Sequence, residues 1–262
     1  MQRTLDGLSL ADKAVELLRD LEPKDGYWLA FSGGKDSICV KRLCDMAGVK
    51  YEAHYSVTTV DPPELIYYMR EHHPGVVWDR PEHTMFGYIA NVYRGPPLRQ
   101  QRWCCRHLKE SCELGRTVLT GIRWAESNRR ARRTQYEPHR KGGARTFFLH
   151  PIISWTDSDV WDFIRERGLP YCRLYDEGFK RLGCVMCPQQ GQRGMRRDAA
   201  RWPGIARAYK RALQRALDNR RERNGADDWA VLKFADGQAW FDWWVGQEGP
   251  EAGDCQMPLF DN

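Results

Sequence analysis

The stretch Tyr27-Trp-Leu-Ala-Phe31-Ser32-Gly33-Gly34-Lys35-Asp36-Ser37 decides the fold. Five apolar residues make a short buried strand, and two glycines turn the chain at once. The apolar spacing from Ser37 to Met46 then reads as a helix. A glycine turn between strand and helix brings backbone N–H groups close to an anion, and the helix adds the positive end of its dipole. Ser32 and Ser37 add hydroxyls, and Lys35 can neutralise phosphate charge. The string is not the eight-residue Walker loop, which needs four residues between its glycines.

Outward from this loop, strands and helices alternate. Leu8–Leu21 reads as a helix and Tyr51–Val57 as a strand. Pro62 and Pro63 open a helix to about His72. Val76–Trp78, Thr117–Gly121 and Thr146–Ile152 read as further strands. Thr84–Tyr93 and Gln101–Cys112 read as helices, and Thr156-Asp-Ser-Asp159 caps another. Ile205–Arg223 is a basic helix, followed by a tryptophan-rich acidic end. The expected fold is α/β, a mostly parallel twisted sheet with helices on both faces, plus a helical C-terminal extension. Residues 1–200 would form the nucleotide-binding domain and 201–262 the extension. The turns at 32–37, 58–61 and 121–123 each follow a strand and should converge at its C-terminal edge.

The 262 residues, 42% of them hydrophobic, suffice for a full core. No stretch approaches the roughly 20 apolar residues of a membrane helix. The N-terminus lacks the layout of a signal peptide, and a cytoplasmic protein is expected. The net charge of +6 is uneven. Residues 121–145 carry +6, residues 191–224 carry +8 and residues 225–262 carry −7. Basic segments of this kind suit a polyanion, a nucleotide or a nucleic acid.

Nine cysteines, an odd number, argue against a disulfide framework. Cys39, Cys44 and Cys112 read as small buried hydrophobes. Cys104 and Cys105 are adjacent, and Cys184-Val-Met-Cys187 follows 79 positions after Cys105. Four thiolates suit tetrahedral zinc or a four-iron cluster. Adjacent cysteines bite awkwardly on one zinc, which favours the larger cluster.

Ser-Gly-Gly-Lys-Asp-Ser resembles the signature loop of the PP-loop ATP pyrophosphatases, with their adenine-nucleotide α-hydrolase-like fold. Within them the chain looks like the PAPS/APS reductase family over roughly residues 25–190. Thr120-Gly-Ile-Arg-Trp-Ala-Glu-Ser127, Pro151–Trp155, Asp159–Trp161, Leu169–Tyr171 and Leu174-Tyr-Asp176 extend the likeness. Ser56–Glu64 resembles the family's second nucleotide loop but departs from its usual Asn/Asp-Thr-Gly form. The resemblance implies ATP or PAPS/APS held by Ser32, Gly33, Gly34, Lys35, Asp36, Ser37, Thr59, Asp61, Gly121 and Arg123. Lys35, Asp36 and Arg123 would be catalytic, with Arg123 a phosphate or sulfate clamp. Glu126 and Ser127 would orient it or meet ribose. Trp103–Lys109 and Gly183–Pro188 resemble the segments that hold a [4Fe-4S] cluster in APS reductases. Cys104, Cys105, Cys184 and Cys187 would then be its ligands, near the nucleotide, with Lys109 tuning the charge.

The Glu-Cys-Gly-Leu-His segment that carries the nucleophile of assimilatory reductases is missing. Cys255 has acidic neighbours that disfavour a thiolate. Cys172 reads first as a buried structural thiol, with a nucleophilic role the alternative. Family members without that segment resemble DNA-phosphorothioation sulfur-transfer enzymes and reductase-like proteins of phages and mobile elements. This implies adenylylation-linked sulfur transfer, with Mg2+ and with a nucleic acid reached through residues 128–133 and 193–223. The alternatives are a sulfonucleotide reductase with an atypical nucleophile and a nucleotide-binding module without catalysis. Gln256-Met-Pro-Leu-Phe260 resembles the peptide by which bacterial proteins dock on the DNA sliding clamp.

Overall fold

The computed structural model describes residues 8–110, 115–139 and 146–246. Cys112, Cys255 and the Gln256–Phe260 peptide lie outside the described residues. The described residues fall into two compact units. One draws on Met1–Pro81 and His107–Gly183, the other on Glu82–Arg106 and Cys184–Asn262.

The first unit is built on a sheet. Its strands are β1 (Tyr27–Ala30), β2 (Tyr51–Ser56), β3 (Val77–Asp79), β4 (Thr117–Leu119), β5 (Tyr136–Pro138) and β6 (Phe147–Leu149). They lie in the order β3-β2-β1-β4-β6-β5. All neighbours are parallel except β5 and β6. Parallel strands need crossovers, and α1 (Leu10–Asp20), α2 (Lys35–Ala47), α3 (Pro63–His72) and α6 (Asp157–Glu166) flank the sheet. The central strand is buried, with Tyr27 and Leu29 fully enclosed, as a near-continuous apolar run should be. Ser9 and Asp12 close a capping box on α1, and Thr156 and Asp159 another on α6. Cys39, Cys44 and Cys172 are fully buried. Burial pushes the Cys44 thiol up to about 12 and also raises Cys172.

The expected strands are all present, somewhat trimmed, and β5 is an addition. It pairs antiparallel at the edge, matching Tyr136 to Leu149 and Pro138 to Phe147. Proline is tolerated there because an edge strand has one unpaired side.

The second unit is helical. Met85–Gly87 forms α4 and widens into a π-turn over Tyr88–Val92, where the sequence predicted an unbroken helix. The wider turn pairs Tyr93 N–H with the Tyr88 carbonyl at 2.8 Å. It leaves the Ala90 carbonyl to accept from Asn219 Nδ2 at 2.9 Å. α5 (Trp103–Leu108) carries Cys104 and Cys105. Then come α7 (Gly191–Arg201), α8 (Pro203–Asn224), α9 (Trp229–Lys233) and α10 (Gly237–Val245). α8 is the spine of this unit. Its buried Tyr209, Leu213 and Leu217 face a core that includes Trp240, Phe241 and Trp244 of α10. Gly237 permits this approach, since a Cβ there would stand 2.4 Å from Gln214 N. Trp240 and Trp244 are therefore core, and Asp228 and Asp236 cap α9 and α10. No helix among the described residues is long and apolar enough to cross a membrane.

Candidate functional site

The turns after β1, β2 and β4 leave the same edge of the sheet, because these three neighbours are parallel. After β1, Phe31 N–H still donates to the His54 carbonyl at 2.9 Å, and then the backbone swings away. Gly33 adopts φ +69°, and a Cβ there would stand 2.7 Å from the Met69 Sδ. Both the conformation and the space demand glycine. Gly34 caps α2 without a side-chain acceptor. The first turn of α2 therefore takes its partners from outside the helix. Ser37 Oγ donates to the Gly34 carbonyl at 2.9 Å and accepts from Ser32 N–H at 3.2 Å. The two serine hydroxyls lie 3.2 Å apart and brace the turn. Lys35 N–H donates to the Tyr175 hydroxyl at 2.9 Å.

Two buried cations meet two carboxylates beside this loop. Lys35 and Arg123 are 3% and 2% exposed. Lys35 Nζ lies 2.8 Å from Asp157 Oδ1 and 3.3 Å from Asp36 Oδ1. Arg123 Nε donates to Asp36 Oδ1 at 2.6 Å and Nη2 to Asp157 Oδ1 at 2.7 Å. Its Nη1 donates to the Trp155 carbonyl at 3.2 Å. Burial alone would lower the Arg123 pKa, but Asp36 and Asp157 together raise it. Burial would raise the Asp157 carboxyl, yet Lys35 and Arg123 hold it below its ordinary value. The Asp157 side chain is 70% exposed while both cations are enclosed. Its Oδ1 thus bridges the two cations from the solvent side.

Gly121 brings β4 against α2: a Cβ there would stand 2.9 Å from the Asp36 Cβ. Glu126 accepts from Arg123 N–H at 3.0 Å and pairs with Arg130, so it fixes the arginine's backbone. In the turn after β2, Asp61 Oδ2 accepts from Thr58 N–H at 3.0 Å, and Thr59 has φ +64°. Lys35, Asp36, Gly121 and Arg123 are thus brought into contact, with Thr59 and Asp61 in the turn after the neighbouring strand. Sequence reasoning missed Asp157, reading it only as a first-turn acid of α6. Tyr175 could have been found, since Leu174-Tyr-Asp176 was already set apart by the family likeness. Thr120 Oγ1 and His150 Nδ1, just past β4 and β6, lie 2.7 Å apart. His150 is fully enclosed, and burial pushes its pKa down to about 4.

The four cysteines expected to bind metal all belong to the second unit, half-buried and in no disulfide. Among the described residues, no three His, Cys, Asp or Glu side chains converge as a site for a metal ion. The four thiols are nevertheless neighbours. A hydrogen bond with Cys105 first, then burial and the charges of Cys105, Cys184 and Cys187, raise the Cys104 thiol. Arg102 Nη2 donates to Cys105 Sγ at 3.2 Å. Thiols that disfavour one another's ionisation gain most from a shared cation.

The family model for the phosphoadenosine phosphosulfate reductase domain matches residues 26–190. The chain belongs to this PP-loop family. A probable FAD synthase of Schizosaccharomyces pombe is 26% identical over 180 residues, which is 68% of this chain and 66% of that protein. An uncharacterized protein of Methanocaldococcus jannaschii is 29% identical over 204 residues, 73% of this chain and 42% of that protein. An adenosine 5'-phosphosulfate reductase of Oceanobacillus iheyensis is 28% identical over 111 residues, 40% of this chain and 45% of that protein. The chain thus spans two thirds or less of each relative. In fold it resembles the crystal structure of phosphoadenylyl-sulfate reductase from Candida auris, with TM-score 0.51 and 15% identity. That match covers 69% of this chain and 90% of the other. The PP-loop nucleotide-binding fold is therefore that of a family whose named members include enzymes.

Proposed function

We propose that the chain is a cytoplasmic PP-loop enzyme that binds ATP and activates an acceptor by adenylylation, with sulfur transfer to follow. One observation carries the reading: the Lys35–Asp157–Arg123–Asp36 network, at the sheet edge where α2 begins. In this reading the 32–37 loop and the start of α2 hold the phosphates. An acceptor oxygen attacks the α-phosphorus, the bond to the bridging oxygen breaks, and pyrophosphate leaves. Lys35 and Arg123 offset the charge that develops, and Asp36 and Asp157 keep them aimed. Mg2+ arriving with the nucleotide would neutralise phosphate charge. A sulfide-level donor then attacks the atom that bears the adenylylated oxygen, and AMP leaves with that oxygen. Thr59, Asp61 and Gly121 complete the nucleotide site.

Cys104, Cys105, Cys184 and Cys187 would hold a [4Fe-4S] cluster, which would supply rigidity and redox capacity when bound. The acceptor we favour is a nucleic acid. Arg207, Arg211 and Arg215 are exposed at four-residue intervals on α8, a spacing that lines them along one face. Clamp docking through Gln256–Phe260 belongs to the same proposal. Its test is a pull-down with the host clamp, comparing the intact chain with Leu259→Ala/Phe260→Ala.

The second reading, a sulfonucleotide reductase, is favoured by the matched family domain. One assay separates the two. Pyrophosphate release from ATP on adding acceptor supports adenylylation, whereas sulfite release from PAPS or APS with a thiol supports reduction. Neither product with any acceptor or thiol would leave a binding module.

A further inference from the structure

We infer that Asp198 is the positioning residue that holds the Cys184–Cys187 turn ready for its cluster. The inference rests on reading those thiols as cluster ligands. The turn has an unusual middle. Met186 adopts φ +60°, a left-handed conformation that a side chain with a Cβ disfavours. Met186 is nonetheless fully buried, as is Val185, while the cysteines at either end are half-buried. Something must hold this backbone, and two side chains do.

Asp198, on α7 and itself 3% exposed, accepts from Met186 N–H through Oδ2 at 2.9 Å. The same oxygen accepts from Gln190 Nε2 at 2.5 Å, tying down the residue pair that follows the turn. Its other oxygen accepts from Arg197 Nη2 at 2.9 Å, which balances the charge. Tyr209 of α8 adds a longer bond, its hydroxyl donating to the Val185 carbonyl at 3.4 Å. The carboxylate thus binds the one N–H that fixes the left-handed residue between the two thiols. A carboxylate in this place does for a C-x-x-C turn what an outer-shell partner does for a metal-bound histidine: it sets the ligand's direction before the metal arrives. Asp198 lies eleven positions beyond Cys187 and belongs to no ligand motif.

The test uses the full chain, purified without oxygen and reconstituted with iron and sulfide. Iron and sulfide content, visible absorption and the rate of iron loss to a chelator are measured, with far-UV circular dichroism as the check on folding. Wild type should hold about four irons. Asp198→Asn keeps the shape and one acceptor oxygen, so it should fold and load. It should lose iron about ten-fold faster, the usual scale for a lost outer-shell partner. Asp198→Ala should load less than Asp198→Asn. Equal retention by wild type and a folded Asp198→Ala would overturn the positioning role and leave the cluster reading intact. A wild-type chain that takes up no iron would overturn the cluster reading itself, and with it this inference.

Discussion

Replacing Arg123 by alanine removes three hydrogen bonds at once, and the exposure of each partner sets what the loss costs. The Asp157 side chain is 70% exposed and can return to water, so its pairing counts for under about 1 kcal/mol. Asp36 is 24% exposed, and its 2.6 Å bond is charge-assisted, worth about 2 kcal/mol. The buried Trp155 carbonyl loses its donor, at about 1 kcal/mol. The expected loss is about 3–4 kcal/mol, within the range for breaking a buried pair. Asp157→Ala, made from the exposed side of the same network, should cost about 1 kcal/mol or less. Urea unfolding followed by circular dichroism measures both, with the transition of the sheet unit as the one to compare. If Arg123→Ala falls within about 1 kcal/mol of wild type, or Asp157→Ala loses as much as Arg123→Ala, the burial argument fails.

Three further outcomes are expected. Gly121→Ala puts a Cβ 2.9 Å from the Asp36 Cβ and 3.0 Å from its backbone carbon, and should cost about 1–3 kcal/mol by thermal melting. Gly75→Ala, where nothing lies within 4 Å, is the control and should melt near wild type. His150 has a lowered pKa of about 4, so the unfolded chain takes up its proton first as pH falls. Stability should therefore drop from pH 6.5 towards 4, by up to about 3 kcal/mol from this residue. His150→Asn should flatten that slope in urea titrations across the range; an unchanged slope would count against a buried neutral ring. Lys35→Ala should weaken ATP or sulfonucleotide binding by about 1.5–3 kcal/mol in calorimetry without unfolding the chain. Unaltered affinity would remove Lys35 from the phosphate site.

Much of this architecture was readable because local signals and the sheet agree. The strand, glycine turn and helix from Tyr27 to Met46 announce themselves, and Thr156 with Asp159 marks the start of α6. Where long-range pairing decides, the reading failed. β5 is three residues long and exists by virtue of β6 beside it. α7 contains Gly191 and Gly194, which hid its helical spacing within a basic run. The π-turn answers to Asn219, far along the chain. At the site, the loop residues and Arg123 were legible from their strings. Asp157 was not, because its meeting with Lys35 spans 122 positions and no local pattern encodes it.

The helical unit has a history written into its connectivity. Glu82–Arg106 leaves the ribosome with Cys104 and Cys105, but the rest of the unit begins only at Cys184. The Ala90, Arg94 and Pro97 carbonyls await Asn219, Arg220 and Trp244, none of which has yet been synthesised. At about 5–20 residues per second, the cysteine pair waits several seconds for its partner turn and longer for its helices. During that interval two neighbouring thiols and the aromatic face of Tyr93 and Trp103 are on show in the nascent chain. The supply of reductant to the unfinished chain would then bear on how much of it reaches the finished fold.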